Sequence, residues 1–116
     1  MPRAPFDNRN SMRTLAHIGI PQNKIPAKAT YLKDAKLYIT APEDSKNNIE
    51  FLFFEPDCQM PELIKNSTHI AYFVDDIDAE LKGAEVLVEP FMPLPNVKAA
   101  FIKEDGNVPI ELMQLL

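Results

Sequence analysis

Apolar and polar positions along this chain exchange with the two-residue period of half-buried strands more often than with helical spacing. Residues 15–20 form a first apolar run, closed by Pro21. Residues 36–40 and 49–55 flank the turn-rich stretch Ala-Pro-Glu-Asp-Ser-Lys-Asn-Asn and predict an antiparallel hairpin. Before that hairpin, residues 21–34 carry Pro21 and Pro26 among scattered Lys and Ala, leaving room for at most one helical turn, over residues 29–33. Residues 56–67, with Pro56 and Pro61, read as a joint. A strand follows at 69–74, and Asp75 or Asp76 then caps a short helix whose Ile77, Leu81 and Ala84 share one face, with Gly83 closing it. Residues 84–89 predict a strand, 90–96 a Pro-rich loop, 97–103 a strand, and Glu104-Asp105-Gly106-Asn107 a tight turn into a last strand over 108–115.

The second half therefore reads strand, helix, three strands. The first half follows the same plan with its helix and second strand lost or reduced to a few residues. This pattern predicts one domain over residues 14–116, with modules at 14–56 and 67–116, preceded by a flexible arm over residues 1–13, which are polar and rich in Pro, Arg and Asn.

The repetition extends to chemistry. The chain has two histidines, His17 in Leu-Ala-His-Ile-Gly-Ile and His69 in Ser-Thr-His-Ile-Ala-Tyr-Phe-Val. Glu50 in Ile-Glu-Phe-Leu-Phe-Phe and Glu111 in Ile-Glu-Leu-Met-Gln-Leu complete the order His, Glu, His, Glu. Two units that each bring one imidazole and one carboxylate can together surround one divalent metal. Strand alternation puts His17 on a face with Leu15 and Gly19, Glu50 with Leu52 and Phe54, His69 with Ala71 and Phe73, and Glu111 with Pro109 and Met113. A carboxylate on such an apolar face must be protonated, paired with a cation or wetted.

The same residues have plainer readings. A single strand His is more often a hydrogen-bonded core residue than a ligand, and a single strand Glu more often faces water. Four of them at repeated positions weigh against coincidence. Phe51, Phe53, Phe54, Tyr72, Phe73 and Phe101 read as core, and Met60, Met92 and Met113 as gap-fillers or a cavity rim; Asp75, Asp76 and Asp78 suggest a cation site, but helix capping explains two of them better.

Composition narrows the classes. A formal net charge of −5 without a basic cluster excludes a nucleic-acid backbone as the expected partner. No apolar run approaches the roughly 20 residues that span a bilayer, so no membrane partner is expected. The one cysteine, Cys58, has no intramolecular partner, and a reducing cytoplasm is the expected compartment.

The His-Ile-Gly-Ile opening, Ile-Glu-Phe-Leu, Thr-His-Ile-Ala-Tyr-Phe-Val-Asp-Asp-Ile-Asp-Ala, and Lys-Ala-Ala-Phe-Ile-Lys-Glu-Asp-Gly-Asn-Val-Pro-Ile-Glu-Leu-Met-Gln resemble the vicinal oxygen chelate superfamily. That group includes glyoxalase I, methylmalonyl-CoA epimerase, extradiol dioxygenases and the fosfomycin and bleomycin resistance proteins. The resemblance is strongest over residues 49–116 and weak over 21–36. It implies an α+β fold of two βαβββ modules forming a cupped half-barrel, the first module here abbreviated, with modules of two subunits often sharing a site. It makes His17, Glu50, His69 and Glu111 the metal ligands, with nickel, cobalt, zinc, manganese or iron all open. Glu50 looks more like glyoxalase I, whereas the phrases around His69, Phe101 and Glu111 look more like the epimerase. In glyoxalase-like members the last-strand glutamate also shuttles the substrate proton, which implies that role for Glu111.

The leading expectation is a metal-dependent isomerase or lyase acting on a small molecule of the hemithioacetal or acyl-CoA thioester class, through an enediolate. The rival is a noncatalytic small-molecule-binding or resistance-type protein, motivated by the shortened first module. A dioxygenase fits less well, because such sites usually present two His and one carboxylate and Glu50 is then one too many. A half-barrel with a missing wall leaves strand edges and apolar surface, which predicts a homodimer.

Overall fold

The computed structural model describes residues 12–116. The predicted arm lies outside the described residues up to position 11. Its last residue, Arg13, is anchored: the guanidinium donates hydrogen bonds to Glu104 at 2.9 Å and to Glu80 at 3.1 Å, and lies over the ring of Tyr72.

The elements run β1 (Thr14–Pro21), β2 (Thr30–Leu32), β3 (Leu37–Ile39), a 3-10 turn (Pro42–Asp44), β4 (Ile49–Phe54), α1 (Glu62–Asn66), β5 (His69–Phe73), α2 (Ile77–Leu81), β6 (Glu85–Leu94), β7 (Val97–Glu104) and β8 (Val108–Leu115). All eight strands join one curled sheet in the order β2-β3-β4-β1-β5-β8-β7-β6, a half-barrel of mixed α+β class. The order contains the repeat. β1 pairs in parallel with β4 and β5 in parallel with β8, each at the end of its own module's meander, and β1 meets β5 antiparallel at the centre. Both modules therefore contribute adjacent central strands, which bring His17 and His69 next to each other.

The concave side of the sheet holds the site, because Leu37 and Leu52 from one half and Phe91 and Phe101 from the other line a common cavity there. The convex side of the second module is its core. Ile77 of α2, at 0% exposure, packs with Val74, Ala100, Ile102, Ile110 and Leu112. A five-residue helix is too short to persist alone and is held by this packing and by its cap. Asp76 accepts a hydrogen bond from the Ala79 N–H, and the Ile77 N–H donates to the Gln114 side chain at 2.9 Å. Gly83 follows at φ 74, a left-handed turn that glycine takes without a Cβ clash.

The first module lacks its helix, as its prolines predict. Residues 22–29 contain no helix or strand, and the second strand is three residues long. Three local expectations are corrected. Residues 29–33 are not a helical turn: Thr30 and Tyr31, a β-branched and an aromatic residue, extend and pair with Ile39 and Tyr38. Residues 90–96 are not a loop: β6 continues through Pro90 and Pro93 to Leu94 and turns at Pro95-Asn96. Those prolines are tolerated because β6 is an edge strand, and its pairing with β7 is interrupted by register shifts. The joint at 56–67 contains α1, which seats Ile64 at 1% exposure. Among the described residues no helix is long and apolar enough to cross a membrane.

Candidate metal centre

The four residues of the repeated phrases sit in two rows across the central strands. In one row Glu50 of β4, Gly19 of β1 and His69 of β5 stand side by side. In the other, His17 of β1, Ala71 of β5 and Glu111 of β8 do so. Exchanging the modules turns one row into the other, so a pseudo-twofold axis passes between Gly19 and Ala71. These two small residues occupy the middle of the rows. The space above them is where four longer polar side chains converge.

One detail of the alternation needs correction. Leu15 pairs with Tyr72 and His17 with Ala71, so Ala16 is an extra, bulged residue between them. Leu15 thus leaves the His17 face and is 58% exposed, while Ala16 and His17 both line a cavity. Bulges of this kind re-aim a side chain near a site. Asn48 secures it: its side-chain amide donates to the Ala16 carbonyl, and its own carbonyl accepts the Ile18 N–H at 3.3 Å. Nothing in the sequence singles Asn48 out from its neighbour Asn47 except its place just before β4.

The donor atoms form a closed ring of alternating type. His17 Nε2 lies 3.3 Å from Glu50 Oε1 and 3.4 Å from Glu111 Oε1; His69 Nε2 lies 3.6 Å and 3.2 Å from the same two oxygens. All four residues are buried, and their ligating atoms lie within 4.8 Å of one another. Yet Nε2 of His17 and both ring nitrogens of His69 have no hydrogen-bond partner. The nitrogens approach the carboxylates without pointing at them, which leaves buried ring nitrogens unsatisfied unless a common partner lies between. Donors about 2.1 Å from one ion stand about 3.0 Å apart when adjacent in an octahedron and about 3.4 Å apart in a tetrahedron. Three of the four ring edges fall in that range and the fourth, His69 to Glu50 at 3.6 Å, lies just beyond it; two imidazoles with two carboxylates suit a borderline divalent ion. The centre can hold one metal ion, with all four protein ligands from a single chain.

The surroundings keep the ring in place. Phe101 meets His69 edge-on at 5.3 Å, and the two imidazoles meet near-perpendicularly at 5.7 Å. Without metal the cluster is a buried ionic knot. Burial opposes charge on His17, but the carboxylates of Glu111 and Glu50 outweigh it and raise its pKa to about 10. Burial raises the pKa of Glu50, whereas for Glu111 burial is outweighed by the two histidines and its pKa falls.

A pH dependence follows. In metal-free protein the His17 imidazolium persists below about pH 10, and a ligand imidazole must lose that proton. Loading a divalent ion at pH 7 is expected to release about one proton per site, and the apparent affinity to rise about tenfold per pH unit in the neutral range. Indicator absorbance in weakly buffered solution and titrations at several pH values measure both. A pH-independent affinity with no proton release would count against His17 as a ligand.

Two cavities reach the ring. One of about 40 Å³ has His69, Glu50 and Glu111 on its wall among Leu37, Leu52, Phe54 and Phe101. The other, of about 520 Å³, has His17 and Glu50 on its wall. Glu50 lines both and Glu111 only the smaller, a distinction between the carboxylates that the sequence repeat conceals. The chain matches no protein-family model and no curated protein, so the assignment of this centre rests on the ring itself.

Proposed function

We propose that this chain is a metal-dependent isomerase or lyase of the glyoxalase I or methylmalonyl-CoA epimerase type. The observation that carries the reading is the buried ring of two imidazoles and two carboxylates, whose ring nitrogens lack hydrogen-bond partners and whose His17 and Glu50 line a cavity large enough for a small molecule. A divalent ion bound there supplies Lewis acidity toward a substrate oxygen and so acidifies the adjacent C–H. The chain's own part is to orient the substrate against β1 and β8, to exclude water with the surrounding apolar side chains, and to move a proton. A glutamate takes the proton from carbon and returns it to the neighbouring carbon, or to the other face of the same one, with no net redox change.

The pseudo-twofold relates the two glutamates within the ring, so the cavities beside them are what tell them apart. The family resemblance implies Glu111. The cavities favour Glu50, because a molecule in the larger one meets Glu50 and not Glu111. At saturating metal, Glu50→Gln is expected to lower solvent-deuterium exchange into an α-hydroxyketone by about a hundredfold or more, the scale of a lost general base. Glu111→Gln is expected to retain more exchange than Glu50→Gln. The reverse order assigns the proton to Glu111. No exchange by metal-loaded wild type, on α-hydroxyketones or hemithioacetals, would refute the enzyme reading and favour a noncatalytic binding protein.

A further inference from the structure

The trough above the ring is asymmetric although the ring is not. On the first-module side, Met60 packs against the cluster of Leu37, Leu52 and Phe54, Ile64 of α1 joins the cavity wall, and only about 40 Å³ is left. On the second-module side, Met113 and Leu115 stand two and four residues beyond Glu111, as Leu52 and Phe54 do beyond Glu50. Among the described residues no helix fills that side, and about 520 Å³ is open between them and Phe73, Leu94 and Val97. Small-molecule sites span about 300–1,000 Å³, so the substrate belongs here.

Among the described residues, the lining of this larger cavity contains no Lys or Arg. Beyond His17 and Glu50 its side chains are apolar or belong to Thr30, Thr40, Pro42, Glu43 and Asn48. Three cations outside the lining are paired with carboxylates: Arg13 with Glu80 and Glu104, Lys98 with Asp78, Lys103 with Glu85. In the metal-loaded centre the two glutamates balance a divalent ion. A remote carboxylate or phosphate on a ligand would then face Glu43 with no counter-charge in a partly desolvated space, which disfavours it.

We propose that the larger cavity selects an uncharged, mainly apolar molecule whose oxygen atoms reach the metal centre. This deepens the proposed function and rests on it. It turns the substrate expectation away from acyl-CoA thioesters and glutathione adducts, whose phosphates and carboxylates have no partner in the lining.

The test uses two probes that present identical oxygens to the metal and differ only at the far end: methyl 4-(hydroxyacetyl)benzoate and its free para-carboxylate. Binding to the zinc-loaded protein is measured by calorimetry, with zinc content determined on the same samples. The ester is expected to bind at least about tenfold more tightly than the acid, and Glu43→Lys to shrink that ratio by placing a cation on the cavity rim. Equal or tighter binding of the acid by zinc-loaded wild type overturns the proposal, as does failure of both probes to bind. A chain that takes up no zinc but still prefers the ester overturns the metal centre alone, so the two failures are distinguishable.

Discussion

Replacing His69 with alanine is expected to weaken divalent-metal binding at least about a hundredfold. Substitutions of residues that merely orient a ligand cost about 10–100-fold, and this one deletes a donor from a ring of four. The loss also removes stabilisation. At a metal concentration about a hundredfold above its dissociation constant, wild type gains about 2.7 kcal/mol, whereas a variant with hundredfold weaker affinity gains only about 0.4 kcal/mol. That difference of about 2 kcal/mol corresponds to a metal-induced shift in melting temperature smaller by roughly 6–12 °C in a domain of this size. Thermal unfolding with and without added zinc, alongside metal stoichiometry, reads both effects. His69→Gln keeps more of the side-chain bulk against Phe101, which separates ligand loss from cavity formation beside that ring. If His69→Ala and His69→Gln both bind zinc as wild type does, the four-donor centre is wrong.

Such a test was visible in the sequence because the repeat places an imidazole and a carboxylate at matching positions in each half, and because strand alternation puts each pair on one face. The parallel pairing of first with last strand in each module then brings the pairs together, Gly19 beside Glu50 and Ala71 beside Glu111. What escaped the sequence has local causes. A one-residue bulge at Ala16 leaves no trace in composition, so Leu15 was expected on the wrong face. Pro90 and Pro93 carry loop chemistry, yet an edge strand needs no outward N–H bond and accepts them. The helix α1 is a single short turn after Pro61, with too few residues for a helical period to register. The asymmetry of the two cavities depends on where α1 packs, and no periodicity encodes that.

The sharpest consequence of the row geometry concerns a residue that contributes no ligand. Gly19 stands directly opposite His69 on the neighbouring strand, and a Cβ built on it would lie 2.7 Å from His69 Nδ1 and closer still to Cε1 and Nε2. Its φ is not in the left-handed region, so the glycine is needed for space and not for backbone freedom. The imidazole has little room to retreat, being 1% exposed with Phe101 edge-on to its ring. Gly19→Ala is therefore expected to destabilise the metal-free protein by about 1–3 kcal/mol through overpacking, despite alanine's better strand propensity. It should also displace Nε2 from the ring and weaken metal binding by about ten- to a hundredfold, the scale seen when ligand orientation is lost. Ala71 supplies the internal control, since it is Gly19's pseudo-twofold counterpart and already carries the methyl group. Ala71→Gly removes atoms and creates no clash, so its expected cost is about 0.5–1 kcal/mol of stability with metal affinity nearly unchanged. Metal titrations of the two variants side by side decide the matter: if Gly19→Ala binds as tightly as Ala71→Gly, then His69 does not depend on the empty space over Gly19 to reach the ring.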